Sequence, residues 1–116
     1  MIGIHGTILR ISDVKTYPDN RGGARKVIYM TVVDEHDSDG GTAKVKTKYE
    51  VSFSSGDHPE RIYRSYRPGD AVVILADGQR IEQDAERKYE PRIVAQGRRI
   101  GLSSWYSVLD RQPAEV

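Results

Sequence analysis

The chain of 116 residues contains no cysteine, which removes disulfides, thiolate metal sites and cysteine nucleophiles together. Its three histidines leave little for metal chemistry. Long apolar runs are missing as well: stretches such as 71–76 fall far short of the roughly 20 residues a membrane helix needs, so no membrane association is expected. The opening Met1-Ile2-Gly3-Ile4-His5 lacks the basic start and sustained apolar stretch of a secretory signal, which places the chain in the cytoplasm as an expectation. A large net charge is absent too, because 18 basic residues face 17 acidic ones. Partners must therefore be read from how charge is distributed. Lys44, Lys46 and Lys48 form a basic row, Arg87, Lys88, Arg92, Arg98 and Arg99 crowd the last third, and Asp34, Glu35, Asp37 and Asp39 make an acidic knot. The length suits one domain with its own core and is too short for two ordinary ones.

What is present is mostly β pattern. Residues 2–12 alternate around Ile4, Ile8 and Ile11 and predict a first strand; 13–23 reads as a polar loop carrying Tyr17-Pro18-Asp19-Asn20 and the Gly22-Gly23 pair. Residues 24–35 are dense in β-formers, with Val27, Ile28, Tyr29, Thr31, Val32 and Val33. After turn chemistry at 37–41, residues 42–54 resume alternation, with Val45, Thr47, Tyr49, Val51 and Phe53 on one face, so the two strands should form a long hairpin. The one helix signal is Pro59 as a preorganised first residue behind Asp57 or His58, with Ile62, Tyr63 and Tyr66 on a shared face and Arg67-Pro68-Gly69-Asp70 as the stop. Residues 71–76 suit a buried strand interrupted near Asp77-Gly78, and 88–96 the returning strand. Thus residues 1–102 form the predicted domain and 103–116 an aperiodic tail, where Trp105, Tyr106, Val108 and Leu109 could pack on the domain or a partner.

Several chemistries can be tested and set aside. Glu35-x-Asp37-x-Asp39-Gly40 resembles the opening of a calcium loop, but the position of its closing glutamate holds Lys46. A polar hairpin turn explains the acids better. Asp34 and Glu35 have no second acidic cluster or lysine base at a spacing a nuclease would use, and Ser54-Ser55-Gly56 lacks the glycine that a nucleophile elbow needs before its serine. No catalytic residue, metal or cofactor is expected.

Three strands, a short helix, then two strands is the order of the OB-fold, an all-β, five-stranded Greek-key barrel with one short helix between its third and fourth strands. From Ile4 to Leu102 the residues also resemble the DNA-binding domain of bacterial single-stranded-DNA-binding proteins. The resemblance is carried by Gly6-Thr7-Ile8-Leu9, Asp13-Val14-Lys15-Thr16-Tyr17, Val27-Ile28-Tyr29-Met30, Thr47-Lys48-Tyr49-Glu50-Val51, Tyr66-Arg67-Pro68-Gly69-Asp70-Ala71-Val72-Val73 and Arg87-Lys88-Tyr89-Glu90-Pro91-Arg92-Ile93-Val94, in that order. It implies sequence-tolerant binding of single-stranded DNA in replication, recombination or repair, by a homo-oligomer, dimer or tetramer. The chain departs from that pattern in having His36 where the family often has tryptophan, Ser55 where a second stacking aromatic is expected, and an acidic Glu82 and Asp84 in the last hairpin. Its final residues, Arg111-Gln112-Pro113-Ala114-Glu115-Val116, are not the family's acidic recruiting tip. The rival function is an OB-fold protein-interaction or primosome-assembly module, favoured by the scarcity of tryptophan and opposed by the Lys44 to Tyr49 segment.

A sequence-tolerant binder needs cations for phosphates and ring faces for bases. On a strand, Lys44, Lys46 and Lys48 project to one side at about 6 to 7 Å intervals, roughly a single strand's phosphate repeat. A solubilising face is the ordinary alternative. Tyr49 is a stacking residue by the resemblance and a core residue by alternation, with Phe53 as a substitute stacker in another register. Tyr29 falls on the outer side of its strand; Tyr17, His36 and Tyr89 are further ring candidates, His36 being equally suited to an exposed turn. Lys15, Arg25, Lys26, Arg80, Lys88 and Arg92 complete the candidate cations, since guanidinium groups also stack on bases. The tail holds one basic residue, Arg111. Deleting residues 103–116 should therefore leave DNA affinity essentially unchanged in a titration, and a folded truncated chain that no longer binds would refute the assignment.

Overall fold

The computed structural model describes residues 1–37, 40–41, 43–82 and 92–104, with backbone alone for His36 and Asp37. It is mostly β-sheet with one helix: β1 Ile2–Ile11, β2 Lys15–Pro18, β3 Ala24–Asp37, β4 Lys44–Phe53, α1 His58–Ser65, β5 Ala71–Glu82 and β6 Arg92–Leu102. The β-branched and aromatic run that predicted the second strand builds β3, which pairs antiparallel with β4 from Ile28 opposite Phe53 out to Asp37 opposite Lys44. This hairpin is the long arm of the molecule. The strands neighbour one another in the order β1, β5, β6, β4, β3, β2, and β1 also pairs with β3, which closes a ring of five strands with β2 outside it.

Closure depends on β1. Its first half, Ile2 to Thr7, pairs with β5, and its second half, Thr7 to Ile11, with β3. At the crossover Gly6 lies so close to β3 that a Cβ there would sit 2.5 Å from the Val33 carbonyl oxygen. Past it, the register shifts between Ile8 and Arg10, a bulge that bends the strand and changes which way the following side chains point. Elsewhere β4 and β6 pair in parallel, Tyr49 opposite Ile93 through Ser52 opposite Gln96.

Inside the ring, alternate residues of each strand meet in one core: Ile4, Ile8, Ile28, Met30, Val32, Val51, Phe53, Val72, Ile74, Ala76 and Ala95. The helix adds Ile62 and Tyr66, whose hydroxyl donates to the Ile100 carbonyl at 3.2 Å. Pro59 starts it, and Asp57 at the N-cap offers no side-chain bond. Tyr63 does not share the buried face as expected: it is 48% exposed, because residues four apart align on a helix whereas adjacent ones diverge by about 100°.

Three further elements differ from the sequence expectation. The loop at 13–23 contains β2, laddered from Lys15 opposite Val27 to Pro18 opposite Ala24. All four of its residues are exposed, so no apolar period marked it. Its turn is tied by Asp19, whose Oδ1 accepts from the amides of Arg21 at 2.7 Å and Gly23 at 3.0 Å. Secondly, β5 runs past Asp77-Gly78 to Glu82, because Gly78, at φ 63°, absorbs a register shift against β6 and pairing resumes at Arg80. The last strand, expected at 88–96, is described from Arg92 and extends to Leu102, since β5 offers it a partner as far as Val72.

Phe53 fixes the packing beneath the hairpin. Its ring meets His58 edge-on at 5.2 Å and lies under Gly97, where a Cβ would come within 2.2 Å of it. Gly97→Ala should therefore overpack the core and cost about 1–3 kcal/mol, lowering the melting temperature by at least roughly 4 °C. Adding Phe53→Leu should recover part of that loss. A single variant that melts like the parent would show that the ring has room to move.

Candidate nucleic-acid interface

Residues directly opposed across an antiparallel pair share a face. With Ile28, Met30 and Val32 committed to the core, the odd-numbered positions of β3 lie on the opposite face together with their partners, Val27 and Thr31 being buried there and Arg25, Tyr29 and Glu35 exposed. The outer face is then a series of rungs. Arg25 lies opposite Tyr17, and Val27 opposite Lys15. Tyr29 lies opposite Ser52. Thr31 stands between Arg10 and Glu50, and Val33 between Thr7 and Lys48. Glu35 opposite Lys46 completes the series, and the backbone pairing runs on to Asp37 and Lys44.

Toward the hairpin end this face opens into a groove of about 840 Å³, bounded by Thr7 and Leu9 of β1, Val33 to Glu35 of β3, Lys46 to Lys48 of β4, and Ile81, Arg92 and Ile93 at the base of the β5–β6 hairpin. It exists because β4 and β6 are paired only from Tyr49 and Ile93 onward, so the hairpins separate beyond that point. Its lining includes two exposed apolar side chains, Leu9 at 49% and Ile81 at 75%. Its rims are charged.

The cations differ in what already holds them. Lys48 makes no ion pair among the described residues, whereas Lys46 reaches Glu35 at 3.7 Å. Both members of that pair are well exposed, and such surface bridges are worth about 0–1 kcal/mol, so a phosphate can replace the carboxylate. Across the groove Arg92 and Arg80 converge on one carboxylate, Glu82, at 3.2 and 2.9 Å. Their hydrogen bonds, Arg92's first, hold the Glu82 carboxyl below its ordinary range, so the trio keeps one net positive charge.

Of the sequence-predicted residues, Lys46, Lys48 and Arg92 meet in the groove. Lys44 continues their row toward the tip. Lys15, Tyr17, Arg25 and Tyr29 share the same outer face farther along β3, where the Tyr17 and Tyr29 hydroxyls lie 3.4 Å apart. That contact, then desolvation, raises the pKa of the Tyr29 phenol, which Arg25 partly opposes. Arg80 stands at the hairpin base through its bond to Glu82. Lys26 is turned to the other side, where it pairs with Glu60 of the helix. Tyr49 is half-buried and packs on the edge of the core, on the face of β4 opposite the lysine row. Phe53 is corrected outright: at 0% exposure under Gly97 its ring has no face to offer a base. The His36 side chain, Lys88 and Tyr89 lie outside the described residues.

The structure also adds residues that the sequence reading missed. Strict alternation puts Arg10 on the face of Ile8, in the core; the bulge at Leu9 reverses this and sets Arg10 beside Thr31 on the outer face. Leu9 and Ile81 join the groove because of the bulge and of the length of β5. Among the described residues no cluster of histidine, aspartate or glutamate is arranged to hold a metal ion.

No protein-family model matches the chain, and no curated protein matches it in sequence. Solved structures do. The small single-stranded DNA-binding protein of Streptomyces coelicolor superposes with a TM-score of 0.54 at 14% identity, over 87% of this chain and 91% of that one. The mitochondrial single-stranded DNA-binding protein of S. cerevisiae gives a TM-score of 0.51, also at 14% identity, over the same shares of the two chains. This chain shares the fold of those single-stranded DNA-binding proteins over most of its length.

Proposed function

We propose that the chain binds single-stranded DNA, without sequence preference and without catalysis, on the outer face of β1, β3 and β4, and that the closed ring of strands is an OB-fold barrel. The observation that carries this reading is the groove between the two hairpins. It is lined by the apolar Leu9 and Ile81 together with Lys46 and Lys48 of one hairpin and Arg92 of the other, in a fold shared with single-stranded DNA-binding proteins. Phosphates run along the lysine row while bases turn toward the apolar lining. Such capture suits replication, recombination or repair, where unpaired DNA must be held.

Homo-oligomerisation belongs to the same proposal. Among the described residues, residues 2–6 pair with β5 alone, so the other backbone edge of this apolar segment can extend a sheet into a second copy. Light scattering across micromolar concentrations should report a mass above 13.1 kDa. A strict monomer would contradict this part.

Binding should distinguish strandedness, because only unpaired bases expose their faces: oligo-dT should bind at least about tenfold tighter than duplex of equal length. Replacing Lys44, Lys46 and Lys48 with alanine should flatten the plot of log affinity against log salt by roughly 2 units, at about 0.7 per phosphate contact. Tyr49→Ala, by contrast, should lower the melting temperature and reduce binding only as far as unfolding accounts for it. Equal affinity for duplex, or an unchanged salt slope in the triple variant, would favour the protein-interaction reading of the same barrel.

A further inference from the structure

Among the described residues no phenylalanine, tyrosine or tryptophan lines the groove. Yet a sequence-tolerant binder of single strands gains much of its affinity from stacking bases on rings. The exposed rings of the outer face lie farther along β3. Tyr17 is 38% and Tyr29 40% exposed, on neighbouring strands, with their hydroxyls 3.4 Å apart.

We propose that Tyr17 and Tyr29 form a stacking platform for bases of the same strand whose phosphates lie on the lysine row, so that β2 is part of the binding surface. The inference rests on the single-strand reading above.

Position supports it first. Tyr29 stands four residues along β3 from Val33, the partner of Lys48, which is about 13 Å. From Arg25 to Glu35 the outer face extends roughly 33 Å, a length suited to the roughly 4–16 nucleotides that one such fold occupies. Cations follow the same course. Arg10 of β1 and then Lys15 of β2 come one after the other on the edge of β3 opposite β4, and Arg25 lies directly across from Tyr17. None of these three makes an ion pair among the described residues. Between the groove and the platform, Glu50 accepts the Thr31 hydroxyl at 2.9 Å on the β4 side. That carboxylate repels phosphates there and steers the chain toward Arg10.

The backbone that carries Tyr29 is also fixed. Ser12 ties β3 where the chain passes from β1 to β2: its amide donates to the Tyr29 carbonyl at 2.9 Å, and its hydroxyl accepts the Tyr29 amide at 3.0 Å. Little core packing explains these two tyrosines, since neither belongs to the buried cluster or packs against it.

The test compares oligo-dT with an abasic oligonucleotide of equal length, using the full chain and the double variant Tyr17→Ala/Tyr29→Ala. The double variant should lose about tenfold in affinity for oligo-dT with its salt slope intact. Its affinity for the abasic strand should not change, and Tyr17→Phe/Tyr29→Phe should bind oligo-dT like the parent. Should the double variant melt early, Tyr17→Ala alone, on a strand exposed along its length, carries the same comparison. Full affinity for oligo-dT in the alanine variants, or an equal loss on the abasic strand, would overturn the platform. A parent chain that binds no single strand at all would overturn the underlying reading instead.

Discussion

Five strands close into a ring only if one of them bonds to partners that would otherwise be the free edges of the sheet, and β1 meets that demand by dividing itself between β5 and β3. Two local features make the division possible. Gly6 lets the backbones approach at the crossing, where any side chain would strike the Val33 carbonyl, and the bulge between Ile8 and Arg10 bends the strand into its second pairing. Everything placed on the outer face inherits from this joint: β3 is held from both edges, β4 is aligned by β3, and the groove opens where β4 and β6 part.

The nearly balanced charge of the chain acquires meaning only on that scaffold. Lys46 is shared with Glu35, Lys26 with Glu60, and Arg80 and Arg92 with Glu82, so much of the basic count is locally compensated. Lys48, Arg10, Lys15 and Arg25 have no ion pair among the described residues, and all four lie on the outer face. Compensated cations are partly neutralised by their carboxylates; uncompensated ones create the field that a polyanion would follow. On the proposed path the acidic positions would act as borders, with Glu50 closing the β4 side midway along β3.

Much was legible in the residues themselves. Alternation is a local property of a strand, so it separated the lysines of β4 from Val51 and Phe53 and put Tyr29 outside, and a proline followed by apolar residues four apart located the helix. The same local rule argued for Tyr49 in the core, where it packs half-buried on the edge, against the stacking role that the family resemblance implied.

What the tertiary structure alone decided depends on contacts between residues distant in sequence. A strand exposed on every residue, as β2 is, leaves no hydrophobic period and exists because β3 presents a hydrogen-bonding edge beside it. The bulge that turns Arg10 outward is a mismatch between two strands, invisible in either one. Lys26 faces the helix and Phe53 vanishes under Gly97 because of segments roughly 35 and 45 residues away, respectively, which no periodicity of 2 or 3.6 can report. The sequence by itself determined which side chains alternate and what chemistry they carry; the closing of the ring decided which of them share a surface, because only pairing across the chain sets register and proximity.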